Sequence, residues 1–415
     1  MSILNDYGYI PSGQVKTIKQ NMPTVTVSNL YIYPIKSTMG ISLPHANIDE
    51  LGLAFDRRFV ISDNSGQFIT ARTEPTLCLV TTELTEQGIK LSAPNMPTLS
   101  LEYENFSSQY QNVRVWDDEI AGQFCSTKAN SWISEYLQRA CQLLYFGEAS
   151  SRMKKTNTDD ARKLAFADGY PLLLISQASL DDLNQRLFAN NQKKVSMAQF
   201  RPNIVVDNCL PFAEDGWQYI RIGDIEFKVS KPCERCIFTT VNPEDGIKDA
   251  QQQPLSTLKT YRQTSNGEVL FGQNLIPLTS GRIKQGDKLT INKSQQPPSF
   301  NQPNSTAVTD TVNKKKKVTI QFATWNKTQP ADNQKTLLEH GEEAGLIIPS
   351  SCRGGMCGRC KAKLISGEVT QLADEGLSAE EKQQGYILCC SSLAQSDVVI
   401  KHILMSPRNA RFSEN

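Results

Sequence analysis

A strand-dominated α+β fold, closed by a small separate domain, is what this sequence predicts, and three observations predict it. Short β-branched runs punctuated by Gly, Pro, Asn and Asp recur through roughly the first 290 residues, with helical stretches set among them. One segment, residues 294–317 (SQQPPSFNQPNSTAVTDTVNKKKK), holds almost nothing to bury and divides the chain. Beyond it, cysteines crowd into a single glycine-rich loop.

The elements follow in order. VTVSNLYIYPIKS, RRFVISD, QFITAR and LCLVTTEL read as strands. SWISEYLQRAC (131–141) has helical spacing, with Trp132, Ile133, Tyr136 and Leu137 on one face and Asn130 or Ser131 placed to cap it. PLLLISQASLDDLNQRL (171–187) turns from a buried strand into a helix capped near Ser179. Further strands are expected at NIVVD, IRIGDIEFKVS and DKLTI, so that residues 25 to about 290 form two intertwined strand-rich subdomains. The segment 294–317 reads as a flexible tether whose closing lysines, Lys314–Lys317, are a solvated charge run. Past it, KVTIQFATW and KAKLISGEV read as strands, and TLLEHGEEAG as a helix ended by Gly345. SAEE opens a short helix with a capping box, and VVIKH closes the sheet.

Composition excludes several functions. The 415 residues carry 44 Lys plus Arg against 43 Asp plus Glu, a net charge of +1. That balance offers no global attraction to nucleic acid or acidic membranes. No stretch reaches the roughly 18 apolar residues of a membrane span, and the start lacks the pattern of an export signal. Eleven cysteines in such a chain point to reduced thiols or metal ligands and to the cytoplasm.

The tail carries the most specific signal. SSCRGGMCGRCKAKL places Cys352, Cys357 and Cys360 in a C-x4-C-x2-C spacing, and GYILCCSSL supplies a distant sulfur. Four thiolates converging on two irons, three from one tight loop, are what a plant-type [2Fe–2S] cluster needs. A four-cysteine zinc site is the alternative, but zinc ribbons pair two C-x2-C units. Residues 318–404 resemble plant-type ferredoxins throughout, which implies a β-grasp domain. The resemblance also implies Cys390 as the fourth ligand, with Cys389 where the family usually has threonine.

A cluster of this kind passes single electrons and has no open position for substrate, so the chemistry belongs upstream. No G-x-G-x-x-G follows a strand there, and a built-in nicotinamide domain is not expected. KPCERCIFTT (231–240) sets Cys233 and Cys236 two residues apart, a spacing open to half a zinc site, a redox dithiol or a single metal-binding sulfur. The following CIFTTVNPEDG reads as a strand running into a turn.

KPCERCIFTTVNPEDG, with QFRPNIVV, YPIKS, DRRFVISD and LFGQNL, resembles the MOSC-domain molybdenum-cofactor proteins, and among them the amidoxime-reducing branch in its form with a fused ferredoxin. The resemblance implies an N-terminal extension (1–24), a MOSC N-terminal β subdomain (25–125), a MOSC β-barrel with the molybdenum cofactor (126–293), the linker (294–317), the [2Fe–2S] ferredoxin domain (318–405) and a tail (406–415). It implies that Cys236 binds molybdenum and is the catalytic residue, while Cys233 has no assigned role. Lys36, Ser37, Arg58, Ser176, Arg201, Asn203 and Arg235 are then the expected contacts to the cofactor. Thr70, Arg72 and Asp215 fall in family-like stretches without an assigned role. The implied activity is reduction of N-hydroxylated compounds of the hydroxylaminopurine or amidoxime type. The implied partner is an external flavin-containing NAD(P)H reductase that feeds the cluster. A sulfur-carrier module or a non-catalytic electron-transfer adaptor are the alternative functions.

Overall fold

The first strand, Thr26–Ile32, buries Val27, Leu30 and Ile32, and a bulge between Val27 and Asn29 keeps Leu30 facing inward where simple alternation would turn Asn29 in. The computed structural model describes residues 24–154, 161–265, 267–301, 316–333, 335–346, 348–350, 355, 358–371, 374 and 376–402. The extension 1–23 and the tail from 403 lie outside them. Thr26–Ile32 lies in an eight-stranded sheet whose order runs Ile41–Leu43, Thr26–Ile32, Ile204–Asp207, Leu172–Ser176, Leu270–Pro277, Ile225–Glu234, Trp217–Ile222 and Leu289–Ser294. A bridge from Thr26 to Lys288, with Leu289 N donating to Val25 O at 2.8 Å, rolls this sheet toward closure as a barrel. Leu30, Leu174, Ile204, Ile220 and Phe227 fill its interior.

The chain leaves the barrel for a second strand-rich unit and then returns. Phe59–Ser62, Gln142–Tyr145, Asp118–Phe124 and Tyr110–Val115 form a four-stranded sheet, and Thr81–Leu84, Gly88–Ser92 and Leu99–Glu102 a three-stranded one. Ile61, Leu77, Leu91, Trp132 and Leu143 share the core of this unit. The unit therefore runs past the expected boundary at 125, because Gln142–Tyr145 pairs with Phe59–Ser62 and Trp132 brings its helix into the same core. That helix, Thr127–Leu137, starts a turn before the expected cap. Ser126 Oγ accepts from Ala129 N at 3.0 Å, and buried Ala129 makes the extra turn worth forming.

The expected tether also shortens. Gln295 N donates to Gly216 O and Asn301 N to Gln263 O, each at 2.8 Å, and the Arg262 guanidinium lies 4.0 Å from the Phe300 ring. Residues 294–301 are thus held to the barrel, while 302–315, with Lys314 and Lys315, lie outside the described residues. Lys317 opens a strand, Lys317–Phe322.

The C-terminal sheet runs Lys327–Asp332, Lys317–Phe322, Val398–His402, Lys361–Ser366 and Tyr386–Leu388. Val398–His402 sits at its centre, parallel to Lys317–Phe322 and antiparallel to Lys361–Ser366. Its buried Val398, Ile400 and His402 suit a strand covered by neighbours. Thr336 and Ser378 head capping boxes with Glu339 and Glu381. Among the described residues no helix is long and apolar enough to cross a membrane.

Candidate cofactor cleft and cluster loop

Where the barrel meets the N-terminal unit, a cleft opens between turns that follow strands. It holds about 820 Å³ of empty space with its open mouth included. Five cations line it, Lys36, Arg57, Arg72, Arg201 and Arg235, against the acids Asp168 and Glu234. Cys233 and Cys236 line it too, at the end of the strand Ile225–Glu234. Cys236 does not begin a strand as expected, but caps a 3-10 turn, Ile237–Thr240, whose buried Thr239 and Thr240 bond back onto the carbonyls of Cys236 and Ile237.

The two cysteines have different surroundings. Arg72 Nε donates to Cys236 Sγ at 3.4 Å, and the same guanidinium reaches Asp168 at 3.1 Å. Burial disfavours the Arg72 charge, yet Cys236 and Asp168 outweigh burial and hold its pKa above the ordinary value. Cys233 Sγ instead accepts from Arg235 Nη1 at 3.0 Å.

Lys36 is 5% exposed, at the turn after the first strand. Its Nζ donates to Phe166 O at 2.9 Å and pairs with Asp168. Burial pushes Lys36 down to about 8, with Asp168 acting the other way. Against the upward push of burial, Lys36 and then Arg72 hold the Asp168 carboxyl well below the usual range. Ser37 follows Lys36 in the left-handed region, φ +76°, which turns the chain along the cleft wall.

Arg57 and Arg201 both lie over the Tyr33 ring, at 4.3 and 4.1 Å. Burial, reinforced by Arg57, lowers Arg201 to about 10. Asn203 accepts from Arg57 Nη1 and from Leu173 N, and donates to Tyr31 O, so it ties three segments together at the cleft wall.

Two expected contacts lie elsewhere. Arg58 pairs with Asp49 at 3.3 Å and is absent from the cleft lining, where Arg57 stands. Arg57 adopts φ +48°, and consecutive residues leading into a strand point to opposite sides. Ser176 is fully buried as the N-cap of the helix Gln177–Ala189, accepting from Ser179 N. The cap is therefore three residues earlier than expected, and its hydroxyl meets that of Ser179, which in turn donates to the buried Glu214, and not the cleft. Asp215 likewise turns inward, to Arg262 and Gln273.

Sequence reasoning missed Arg57, Asp168 and Trp116 and left Arg72 without a role. Trp116 Nε1 donates to Asp168 at 2.9 Å, and its ring lies 4.8 Å from the Arg72 guanidinium. A signal for Trp116 was present: a bulky aromatic at a tight hairpin tip, RVWDDEI, where φ is +59° and small polar residues are usual.

The cleft's donors suit an anionic, sulfur-bound cofactor. Among the described residues, Arg201 Nη2 and Arg235 Nε are buried without a hydrogen-bond partner. Unpartnered donors on buried cations need an acceptor, and phosphate supplies several. Cys236 adds a sulfur that already accepts from the Arg72 guanidinium.

At the other end of the chain, Cys352 and Cys357 lie outside the described residues. Gly355 N donates to Cys390 Sγ at 3.3 Å, and Cys390 N to Cys360 Sγ at 3.4 Å. Backbone amides aimed at these sulfurs are what an electron-rich cluster ligand requires. Cys389 is fully buried in the domain core, and burial pushes its thiol far up. Cys390 and Cys236 line the two sides of one crevice between the barrel and the C-terminal domain.

Comparison with known proteins agrees with this architecture. The MOSC N-terminal beta barrel domain matches residues 24–140, the MOSC domain 161–290, and the 2Fe-2S iron-sulfur cluster binding domain 323–395. The mitochondrial amidoxime-reducing component 1 of Mus musculus is 37% identical over 283 residues, which span 64% of this chain and 82% of the relative. The human component 1 is 36% identical over 283 residues, with the same shares. The mitochondrial amidoxime reducing component 2 of Rattus norvegicus is 40% identical over 284 residues, 63% of this chain and 82% of the relative. A molybdenum cofactor and a [2Fe–2S] cluster are the groups these domains carry. The chain belongs to the amidoxime-reducing component family of MOSC proteins, in a form that carries its own 2Fe-2S domain.

Proposed function

We propose that the protein reduces N-hydroxylated compounds, amidoximes and hydroxylaminopurines, to amidines and amines. The balance is R–NH–OH + 2 e⁻ + 2 H⁺ → R–NH₂ + H₂O. A flavin-containing NAD(P)H reductase supplies the electrons singly through the C-terminal domain. The observation that carries this reading is the shared crevice, which sets Cys390 of the electron-transfer domain opposite Cys236 at the cationic cleft.

Cys236 is the proposed molybdenum ligand. Lys36, Arg57, Arg201 and Arg235 are the cations that would hold the cofactor's phosphate, with Ser37 and Asn203 on the same wall. The molybdenum cofactor, when bound, supplies the two-electron removal of oxygen from nitrogen. Arg72 donates to the Cys236 sulfur and orients it, and Asp168 keeps Arg72 and Lys36 in place. Cys352, Cys357, Cys360 and Cys390 are the proposed cluster ligands.

Metal content tests this before any activity assay. Protein from a host with a verified cofactor supply should hold about two irons and one molybdenum per chain, by the cluster and cofactor stoichiometry. Cys236→Ala should lose molybdenum, keep its iron and fail to convert hydroxylaminopurine. Iron without molybdenum in the unaltered protein would sink the reading.

A further inference from the structure

The face of the large unit around the Cys236 loop is covered by the C-terminal domain, and the contact has a polarity. At one end Arg359, in the cluster loop between Gly358 and Cys360, pairs with Asp117 at the hairpin tip between Tyr110–Val115 and Asp118–Phe124. At the other end Arg235, Lys248 and Lys259 of the large unit line one crevice with Glu339 of the C-terminal domain, whose Oε2 also accepts from Thr336 N and Oγ1. Glu234 and Glu268 share that rim, but Glu234 is engaged by Lys231. The large unit is thus negative at the hairpin and positive at the crevice, and the C-terminal domain is the reverse. A half-turn of the C-terminal domain would set Arg359 against Lys248 and Lys259, and Glu339 against Asp117. Like charges would then face each other at both ends, so the pattern selects one orientation.

The hairpin tip also connects the dock to the site. Asp117 holds the cluster loop, while its neighbour Trp116 holds Asp168, the carboxylate that pairs with Lys36 and Arg72. The Asp117 and Arg359 side chains are 77% and 46% exposed, and a pair this open contributes little free energy and parts easily. The chain leaves the large unit beside the dock, since Asn301 bonds to Gln263 and Gln263 lines the crevice with Lys259.

We propose that this face is an orienting dock for the chain's own [2Fe–2S] domain. Opposite charges at its two ends turn the edge carrying Cys390 toward Cys236. The weak Asp117–Arg359 pair then releases, so that the same edge can meet the external reductase. Each docking passes one electron, so one substrate needs two dockings, with the flavin reductase restoring the electron between them. The electron-delivery part rests on the reductase reading above; the docking part does not.

Small-angle X-ray scattering of the full holoprotein reads docking without activity. Stopped-flow reoxidation of the dithionite-reduced cluster by hydroxylaminopurine reads electron delivery. Asp117→Arg should enlarge the radius of gyration and slow reoxidation by about three- to tenfold. Lys248→Glu/Lys259→Glu, which leaves the cluster loop untouched, should do the same. The exchange Asp117→Arg/Arg359→Asp should restore both readouts, as a merely structural defect would not. Unaltered scattering in both single-sided variants, or an unaltered protein already extended at physiological salt, overturns the dock. A wild-type cluster that hydroxylaminopurine never reoxidises overturns the reductase reading instead, while the scattering still decides the docking.

Discussion

The cofactor cleft and the cluster loop both offer sulfur to a metal group, and they are built in opposite ways. The loop draws three of its four proposed ligands from residues 352–360, a span of nine residues in sequence. The cleft draws on segments from Lys36 to Asn274, with one sulfur proposed for the metal and the remaining work left to cations. A group held mainly by sulfur can be specified locally. A group held mainly by its charge needs a fold that carries cations from several strands to one place and neutralises them meanwhile.

The largest expected effect tests the local half of that contrast. Cys390→Ser should remove most of the cluster's visible absorbance, whereas Cys389→Ser should keep it, because only Cys390 receives the Gly355 amide. Equal loss in the two variants would mean that the sulfurs are not distinguished in this way.

For the dispersed half, Arg57→Ala should lower molybdenum occupancy at limiting cofactor, and Arg58→Ala should not. Losing a charge-assisted bond of about 1.5–3 kcal/mol corresponds to a tenfold or greater loss of affinity. The reverse result would put Arg58 back at the cofactor. Ser176→Ala should instead cost about 1 kcal/mol of stability through the lost helix cap, visible as a lower melting temperature at unchanged molybdenum content.

The smallest effect is a pH dependence. Burial lowers Lys36 from 10.5 to about 8 in the fold. Between those values the unfolded chain binds the extra proton, so the Lys36 contribution to stability grows as pH rises through that window. Its grip on an anion moves the other way and weakens as pH climbs past about 8. Cofactor uptake by cofactor-free protein should therefore decline a few-fold over that range, and Lys36→Arg, charged throughout, should flatten the decline. A wild-type uptake curve flat across pH 8 would count against this.

Much of the fold was legible because its signals are local. The C-x4-C-x2-C loop, the SAEE cap and the alternating strands each lie within one element. Within the cleft, Lys36, Ser37, Arg201, Asn203, Arg235 and Cys236 could be reached through motifs, and the structure brings all six to one wall or another. Arg57 and Arg58 could not be separated, because a positive φ at Arg57 sets which one turns inward. Asp168 and Trp116 come from different stretches with no shared spacing, and only their contact reveals them. The central place of Val398–His402 was hidden for the same reason: a strand's neighbours are not written in the strand.

Asp168 gives the cleft a resident counter-ion. It already shares the charge of Lys36 and Arg72, so an incoming phosphate does not meet bare cations there. Asp168 thus offsets part of the charge of the five cations before loading, which mutes the salt dependence of loading. It also means that the cations need not repel one another apart before the cofactor arrives, so the protein can fold first and be loaded afterwards.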